Sequence, residues 1–274
     1  MLIDELKRRQ LTIVTDGEPD DLIALLLLQR AGWLENASIV VNSWRDPQSK
    51  AHFVCQALGL VNLYIGEPSD TNFSYGQHSQ EFQSWKPELF QEALVLCLAP
   101  PRELLLSDTK LLRNSTLAIY GSFNLRSLLG EGVKADRIIQ LLDSFERVVY
   151  YETQLAVGAH SAVHDSALLN LLPAEIIRAI SLWNQHSQSY GEKIAESIAA
   201  CPLQFVNADT GLVATLLMPR PACHLVRSRL TCLAPTRYVE PGSIEVVIGI
   251  DSQAFSQQQI SWMIEQLSSP TKPR

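Results

Sequence analysis

Apolar positions along the chain fall into two alternating kinds of run. Short solid runs at Leu11 to Thr15, Ser38 to Asn42, Val61 to Ile65, Thr116 to Tyr120 and Arg147 to Tyr151 read as buried strands. Between them lie stretches rich in helix formers. These predict helices over Asp20 to Arg30, Pro47 to Leu58 (with Pro47 in the first turn), Val133 to Leu142, Ala174 to Trp183, Glu192 to Ala200, Asp209 to Leu217 and Phe255 to Leu267. Residues 222–250 read as short strands ending in the apolar run Ile244 to Ile250. Residues 66–90 are polar and aromatic, with Gly66, Pro68, Gly76 and Pro87, and read as a long loop region of the kind that often carries function. A second loop, 152–165, is rich in Gly, Ala, Ser and His, and the tail from Ser268 is expected to fray. Strand–helix–strand alternation predicts an α/β fold with a mostly parallel central sheet and helices on both faces, Rossmann-like in layout. No repeat or linker interrupts it, so residues 1–274 are expected to form a single domain.

Composition sharpens this picture. The chain has 274 residues, of which 46% are hydrophobic and 19% charged, enough for a sizeable core. A net charge of −7 without a basic stripe argues against nucleic acid as a partner, and Lys7-Arg8-Arg9 reads as the solvated face of an N-terminal helix. Five cysteines lie far apart with no CxxC pair, which argues against a disulfide framework and a structural zinc site. The start, MLIDELKRRQ, has no apolar stretch of signal-peptide length. The longest apolar run, about Leu22 to Leu28, falls far short of the ~20 residues a membrane span needs. A cytoplasmic protein with no membrane partner is expected. Neither a P-loop nor a GxGxxG is present, which disfavours nucleotide-driven chemistry.

The chemistry concentrates in Thr15-Asp16-Gly17-Glu18-Pro19-Asp20-Asp21. One carboxylate ends a strand, a turn follows, and two more open a helix. Ligands of open α/β sheets bind outside the carboxyl ends of strands, which is where this turn falls. Asp20 could simply cap the helix while Asp21 complements its dipole. That reading explains less for a crowd of like charges, which repel. A divalent cation would relieve the repulsion, and hard oxygen ligands select calcium or magnesium.

The same residues resemble the N-terminal motif of the nucleoside hydrolases, D-x-D-P-G-x-D-D, with Asp16 at its third position and Asp20-Asp21 as its closing pair. Further stretches match that family in order. Leu63-Tyr64-Ile65-Gly66 resembles its V-Y-x-G strand, and Tyr120-Gly121-Ser122-Phe123-Asn124-Leu125 stands where the family has T-G-P-L-T-N. Asn207-Ala208-Asp209-Thr210 stands where it has His-Asp or Tyr-Asp followed by Pro. Ile244 to Val247, Asp251 and Phe255 resemble its closing strand and helix. The resemblance implies a calcium ion held by Asp16, Asp21, Asp209 and the backbone carbonyl of Asn124. It implies that Asp20 and Asp209 bond ribose hydroxyls and that Asp16 takes a proton from the attacking water. It implies a small-molecule nucleoside or riboside as partner, and it is compatible with a homo-oligomer.

This sequence departs from the family in several places. Val14 replaces the first aspartate of the motif, and Gly17-Glu18 replaces Pro-Gly, with Glu18 expected to point to solvent. Asn124 replaces a threonine, which a carbonyl ligand tolerates. Ala208 replaces the aromatic or histidine that often protonates the leaving base. The family's Asn and Glu-Phe-Asn segment has no clear counterpart. In the loop from Gly158 to Ser166, His160, His164 and Asp165 either take over its sugar contacts or form a polar loop whose Asp165 caps the next helix. His78 stands near a catalytic histidine of some members, although a surface histidine explains it too. Asn42, at the end of the second strand, either reaches the sugar or caps the strand. Trp85 and Trp183 read as packing residues. The candidates are therefore Asp16, His78 and His164 for catalysis, Asp20, Asn42, His160, Asp165 and Asp209 for substrate, and Asp16, Asp21, Asn124 and Asp209 for metal. The reaction expected is hydrolysis of an N-ribosidic bond. A ribose- or nucleoside-binding protein without turnover is the competing reading, and a phosphatase using Asp-x-Asp fits poorly because Glu18 takes the second position.

Overall fold

A computed structural model describes residues 9–42, 47–67, 74–76, 80–121, 135–152, 162–163, 165–187, 205–206, 209–219, 223–228, 244–249 and 252–269. Strand β1 (Gln10–Thr15) leads through a three-residue turn into helix α1 (Pro19–Arg30). Strand β2 (Ser38–Val41), α2 (Pro47–Leu58), β3 (Leu63–Ile65) and β4 (Gln83–Ser84) follow. A 3-10 turn (Pro87–Phe90) precedes β5 (Ala93–Cys97), and two short helices, α3 (Arg102–Leu106) and α4 (Thr109–Leu112), lead to β6 (Thr116–Gly121). Next come α5 (Ala135–Leu142), β7 (Arg147–Glu152), β8 (Ala162–Val163), α6 (Ser166–Leu169) and α7 (Ala174–Ser187). The remaining elements are β9 (Phe205–Val206), α8 (Asp209–Leu217), β10 (Cys223–Ser228), β11 (Ile244–Gly249) and α9 (Ser252–Ser268).

The central sheet runs β10-β11-β7-β6-β5-β1-β2-β3-β4, and every pairing in it is parallel except β10 with β11. Strand β1 sits between β5 and β2 in the middle of the sheet, and β8 pairs with β9 separately. Parallel strands need both faces covered, and the period-two alternation divides their side chains between two cores. Ile13, Ile39, Leu94 and Val149 face the core built with α1, α2, α7 and α8, whereas Val14, Val40, Val95 and Val148 face the one built with α3, α4 and α5. Helices on both faces are thus as the sequence pattern predicts.

Helix α1 is buried all the way round from Leu22 to Leu28, as expected of a helix with no polar face between its acidic start and Gln29-Arg30. Helices α7 and α8 both pack on it. The predicted bounds of α2 and α8 agree with those observed. Strand β5 and helices α3 and α4 are not among the elements the hydrophobic pattern predicts. The helix expected at Glu192 to Ala200 lies outside the described residues. Among the described residues, Cys55, Cys97 and Cys223 are free thiols, and no helix is long and apolar enough to cross a membrane.

Candidate active site at the carboxyl edge of the sheet

The end of β1 is fixed by its neighbours on both sides. Leu98 N–H donates to Val14 O at 2.8 Å from the β5 side, and Asn42 N–H donates to Thr15 O at 2.9 Å from the β2 side. The chain then turns sharply at Gly17, whose φ of +68° favours glycine. The Tyr75 hydroxyl donates to Gly17 O at 2.7 Å, and the Tyr75 ring stacks on Phe53 of α2. Pro19 occupies the first turn of α1, where a missing N–H costs nothing. Glu18, not Asp20, takes the N-cap position, and it makes no side-chain cap. Asp20 and Asp21 therefore both lie within the first turn.

Packing of α8 on α1 brings a third carboxylate to this point. One carboxylate oxygen from each of Asp20, Asp21 and Asp209 lies within 4.8 Å of the others, and among the described residues this is the group fit to hold a metal ion. Asp21 and Asp209 are buried, and Asp20 is half-buried. Thr15 Oγ1 donates to Asp21 Oδ1 and accepts from Gly17 N–H at 3.1 Å. Asp20 and Asp209 face each other within this group, and each perturbs the other's titration. Asp209 Oδ1 is buried without a partner.

Burial is the main force on all three. It lifts Asp20 to about 6, against hydrogen bonds from Asp209 and the local backbone, with Asp16 adding repulsion. Burial, then Asp16 and Asp20, holds Asp21 well above the ordinary carboxylate range. Burial, then Asp21, Asp20 and Asp16, does the same for Asp209. Oxygen donors crowded together, with an orphaned buried acceptor among them, suit a hard cation such as calcium.

Asp16 is buried beside this trio and its charge is felt by each member, but its oxygens do not belong to the converging group. The strand end holds it, whereas the trio rides on two helices. Glu18 departs from expectation. It does not point to solvent but is half-buried, and burial, followed by repulsion from Asp16, raises it to about 8. The fully buried Lys50 of α2 opposes that rise, and Trp183 of α7 hydrogen-bonds to Glu18, so this tryptophan reaches the acidic turn instead of serving packing alone. Trp85 packs in the second core and donates to Glu67 Oε1 at 3.0 Å.

Asp165 is the N-cap of α6, accepting from Ala167 N–H at 2.8 Å and Leu168 N–H at 3.0 Å. Its carboxylate thus makes the cap that was one of the two roles open to it in the sequence. Asn42 is fully buried, and its Nδ2 donates to Glu103 Oε2 at 3.3 Å and to Pro100 O at 3.4 Å. His78, Asn124, His160, His164 and Ala208 lie outside the described residues. Strand β5, not β6, is bonded to β1, so the turn flanking Asp16 on that side is Ala99–Pro101, and the end of β6 lies one strand further out.

The chain aligns in three dimensions with known enzymes over nearly its full length. A plant nucleoside hydrolase superposes with a TM-score of 0.66 at 10% identity, covering 96% of this chain and 99% of that one. The fold is that of the nucleoside hydrolases. An inosine–guanosine nucleoside hydrolase gives 0.57 at 12% identity, covering 94% and 98%. The inosine–uridine preferring nucleoside hydrolase of Bacillus anthracis gives 0.53 at 11%, covering 94% and 99%. No protein-family model matches the sequence, and no curated protein matches it. The nucleoside hydrolase fold is therefore shared at identities where the residues of the site must be judged one by one.

Proposed function

We propose that this chain hydrolyses the N-glycosidic bond of a ribonucleoside or related N-riboside, with calcium bound at the acidic edge. The observation that carries this reading is the convergence of Asp20, Asp21 and Asp209 at the carboxyl edge of a nucleoside hydrolase fold. In this reading Asp16, Asp21 and Asp209 hold the ion, and Asp20 and Asp209 accept hydrogen bonds from ribose hydroxyls. Calcium held there would supply an acidified water as the nucleophile. Asp16, at the strand end, accepts the proton of the attacking water. Cleavage builds positive charge on the ribose, as in glycoside hydrolysis, and the surrounding carboxylates stabilise it.

A second reading has one observation in its favour. Ala208 stands where the resembled family carries a proton donor, so a protein that binds ribosides without turning them over would look the same here. Turnover of inosine, uridine and p-nitrophenyl riboside, with calcium and with chelator, separates the two. General acid catalysis contributes ~10²–10⁴-fold, so the hydrolase reading expects the activated aryl riboside to be cleaved best. It also expects chelator or Asp16→Ala to abolish that cleavage. A folded, calcium-loaded protein that binds ribose and cleaves none of the three would establish the binding reading instead.

A further inference from the structure

Next to the acidic edge lies a second buried polar group with its own internal logic. The β1–β2 register ends with Thr15 opposite Val41, and Asn42 N–H donates to Thr15 O at 2.9 Å, so Asn42 and Asp16 leave the sheet at the same edge. The Asn42 side chain is fully buried, and both hydrogen-bond partners of its Nδ2, Glu103 Oε2 and Pro100 O, come from the chain after β5. Both partners are acceptors, so the amide nitrogen must face them. Asn42 Oδ1 is left buried with no partner. A buried acceptor without a donor is costly, and such atoms call for a donor supplied from elsewhere.

The orientation of Glu103 is itself fixed. Glu103 is fully buried, and its Oε1 accepts from Glu67 N–H at 2.6 Å. A Cβ at position 66 would stand 2.3 Å from that oxygen, so only glycine lets the carboxylate approach the backbone there. One oxygen is thus tied to the end of β3, and the other is presented to Asn42.

We propose that Glu103 is a positioning residue: it holds the Asn42 amide with Oδ1 free to accept a hydrogen bond from a hydroxyl of the bound sugar. The role of the sugar rests on the riboside reading given above; the Asn42–Glu103 pair does not. A glutamine at 103 would keep its oxygen toward Glu67 N–H and turn its NH₂ toward Asn42. The Asn42 amide would then reverse, offering a donor where the sugar needs an acceptor. An aspartate at 42 in that background would accept from the glutamine with one oxygen and present the other, restoring the acceptor while giving up the long 3.4 Å bond to Pro100 O. The same aspartate opposite the native Glu103 would set two carboxylates against each other.

The test is a four-protein cycle of wild type, Glu103→Gln, Asn42→Asp and the double variant, at pH 8.5 with calcium. Without ligand, Asn42→Asp is expected to lower Tm by about 5 °C, and adding Glu103→Gln to recover most of it. With D-ribose as the titrant, Glu103→Gln is expected to weaken binding about tenfold, the worth of one hydrogen bond. The double variant should return close to the wild-type affinity, a rescue that a merely structural glutamate would not give. Additive Tm changes would overturn the pair. So would unchanged ribose affinity in Glu103→Gln, or a folded double variant that binds ribose as weakly as Glu103→Gln. If wild type binds no ribose with calcium, the riboside reading falls and takes the sugar contact with it, while the Tm cycle still decides the pair.

Discussion

Two groups of buried carboxylates meet at the end of β1, and they are stabilised in opposite ways. Glu103 is surrounded by donors: the Glu67 amide takes one oxygen and the Asn42 side chain the other. Asp20, Asp21 and Asp209 are surrounded by one another, with Thr15 as a side-chain donor to Asp21. Burial raises Glu103 to about 7 against hydrogen bonds that favour its charged form, whereas for Asp21 and Asp209 like charges add to burial and hold both well above the usual range. A carboxylate held by N–H groups is built into the fold. Carboxylates that face each other carry a repulsion that the proposed ion would relieve.

The sharpest way to break this contrast is to neutralise one member of the acidic group. Asp21→Asn is expected to weaken calcium binding by about 100-fold or more and to abolish turnover. It should also raise the Tm of the calcium-free protein, because it removes a repelled buried charge while keeping an acceptor for Thr15. Calorimetric titration and thermal denaturation of the same variant check both signs. A calcium-free protein that loses stability would show that the group is structural.

Calcium itself gives the next largest effect. The raised values of Asp20, Asp21 and Asp209 mean that the folded chain keeps protons which the unfolded chain releases above about pH 4. Their contribution to stability is complete below that pH and is lost as pH rises through the raised values. Calcium at a hundred times its Kd adds about 2.7 kcal/mol, so Tm should rise by roughly 5–10 °C at pH 8. The rise should shrink at pH 5, where protons compete for the same oxygens. A calcium shift equal at both pH values would mean that the ion binds elsewhere.

Gly66→Ala probes the other group. The new methyl would press on Glu103 Oε1 and on Asn42 Cβ, the latter at 3.1 Å, so a loss of about 1–3 kcal/mol is expected in denaturant unfolding. Calcium affinity should stay as it was. The smallest effect belongs to Asp165→Ala, which removes a helix cap worth about 1 kcal/mol. A large rise in KM from that change would return Asp165 to the substrate contacts.

Much of this arrangement was legible in the sequence. The turn after β1 announces itself by three aspartates between a solid apolar run and a helix, and Asp209 by its place at the start of one. What local pattern could not supply was which helix ends meet. Asp209 joins Asp20 and Asp21 because α8 packs on α1, and Asp16 stays with the strand. The run from Ala93 to Ala99 carries a strand signal as strong as that of β1 and is buried throughout, but it is short and lies between a long loop and a stretch of short helices. It forms the strand next to β1, and Glu103 lies beyond it. A lone glutamate between Arg102 and three leucines reads as the solvent side of a helix. Its burial depends on Gly66 and Asn42, distant in sequence and adjacent only through the sheet order. The burial of Glu18 is hidden from local sequence for a related reason, since Lys50 and Trp183, which act on it, belong to other helices.

The all-round burial of α1 also bears on how the site opens. The amides of Leu22 to Leu28 have no solvent face and sit beneath α7 and α8. They can exchange their hydrogens only when the whole core comes apart. Asp20 and Asp21 are mounted on the first turn of that slow-exchanging segment. Release of the proposed ion or sugar would therefore proceed without melting the helix that carries them, and deuterium uptake along α1 should track global unfolding, not ligand turnover.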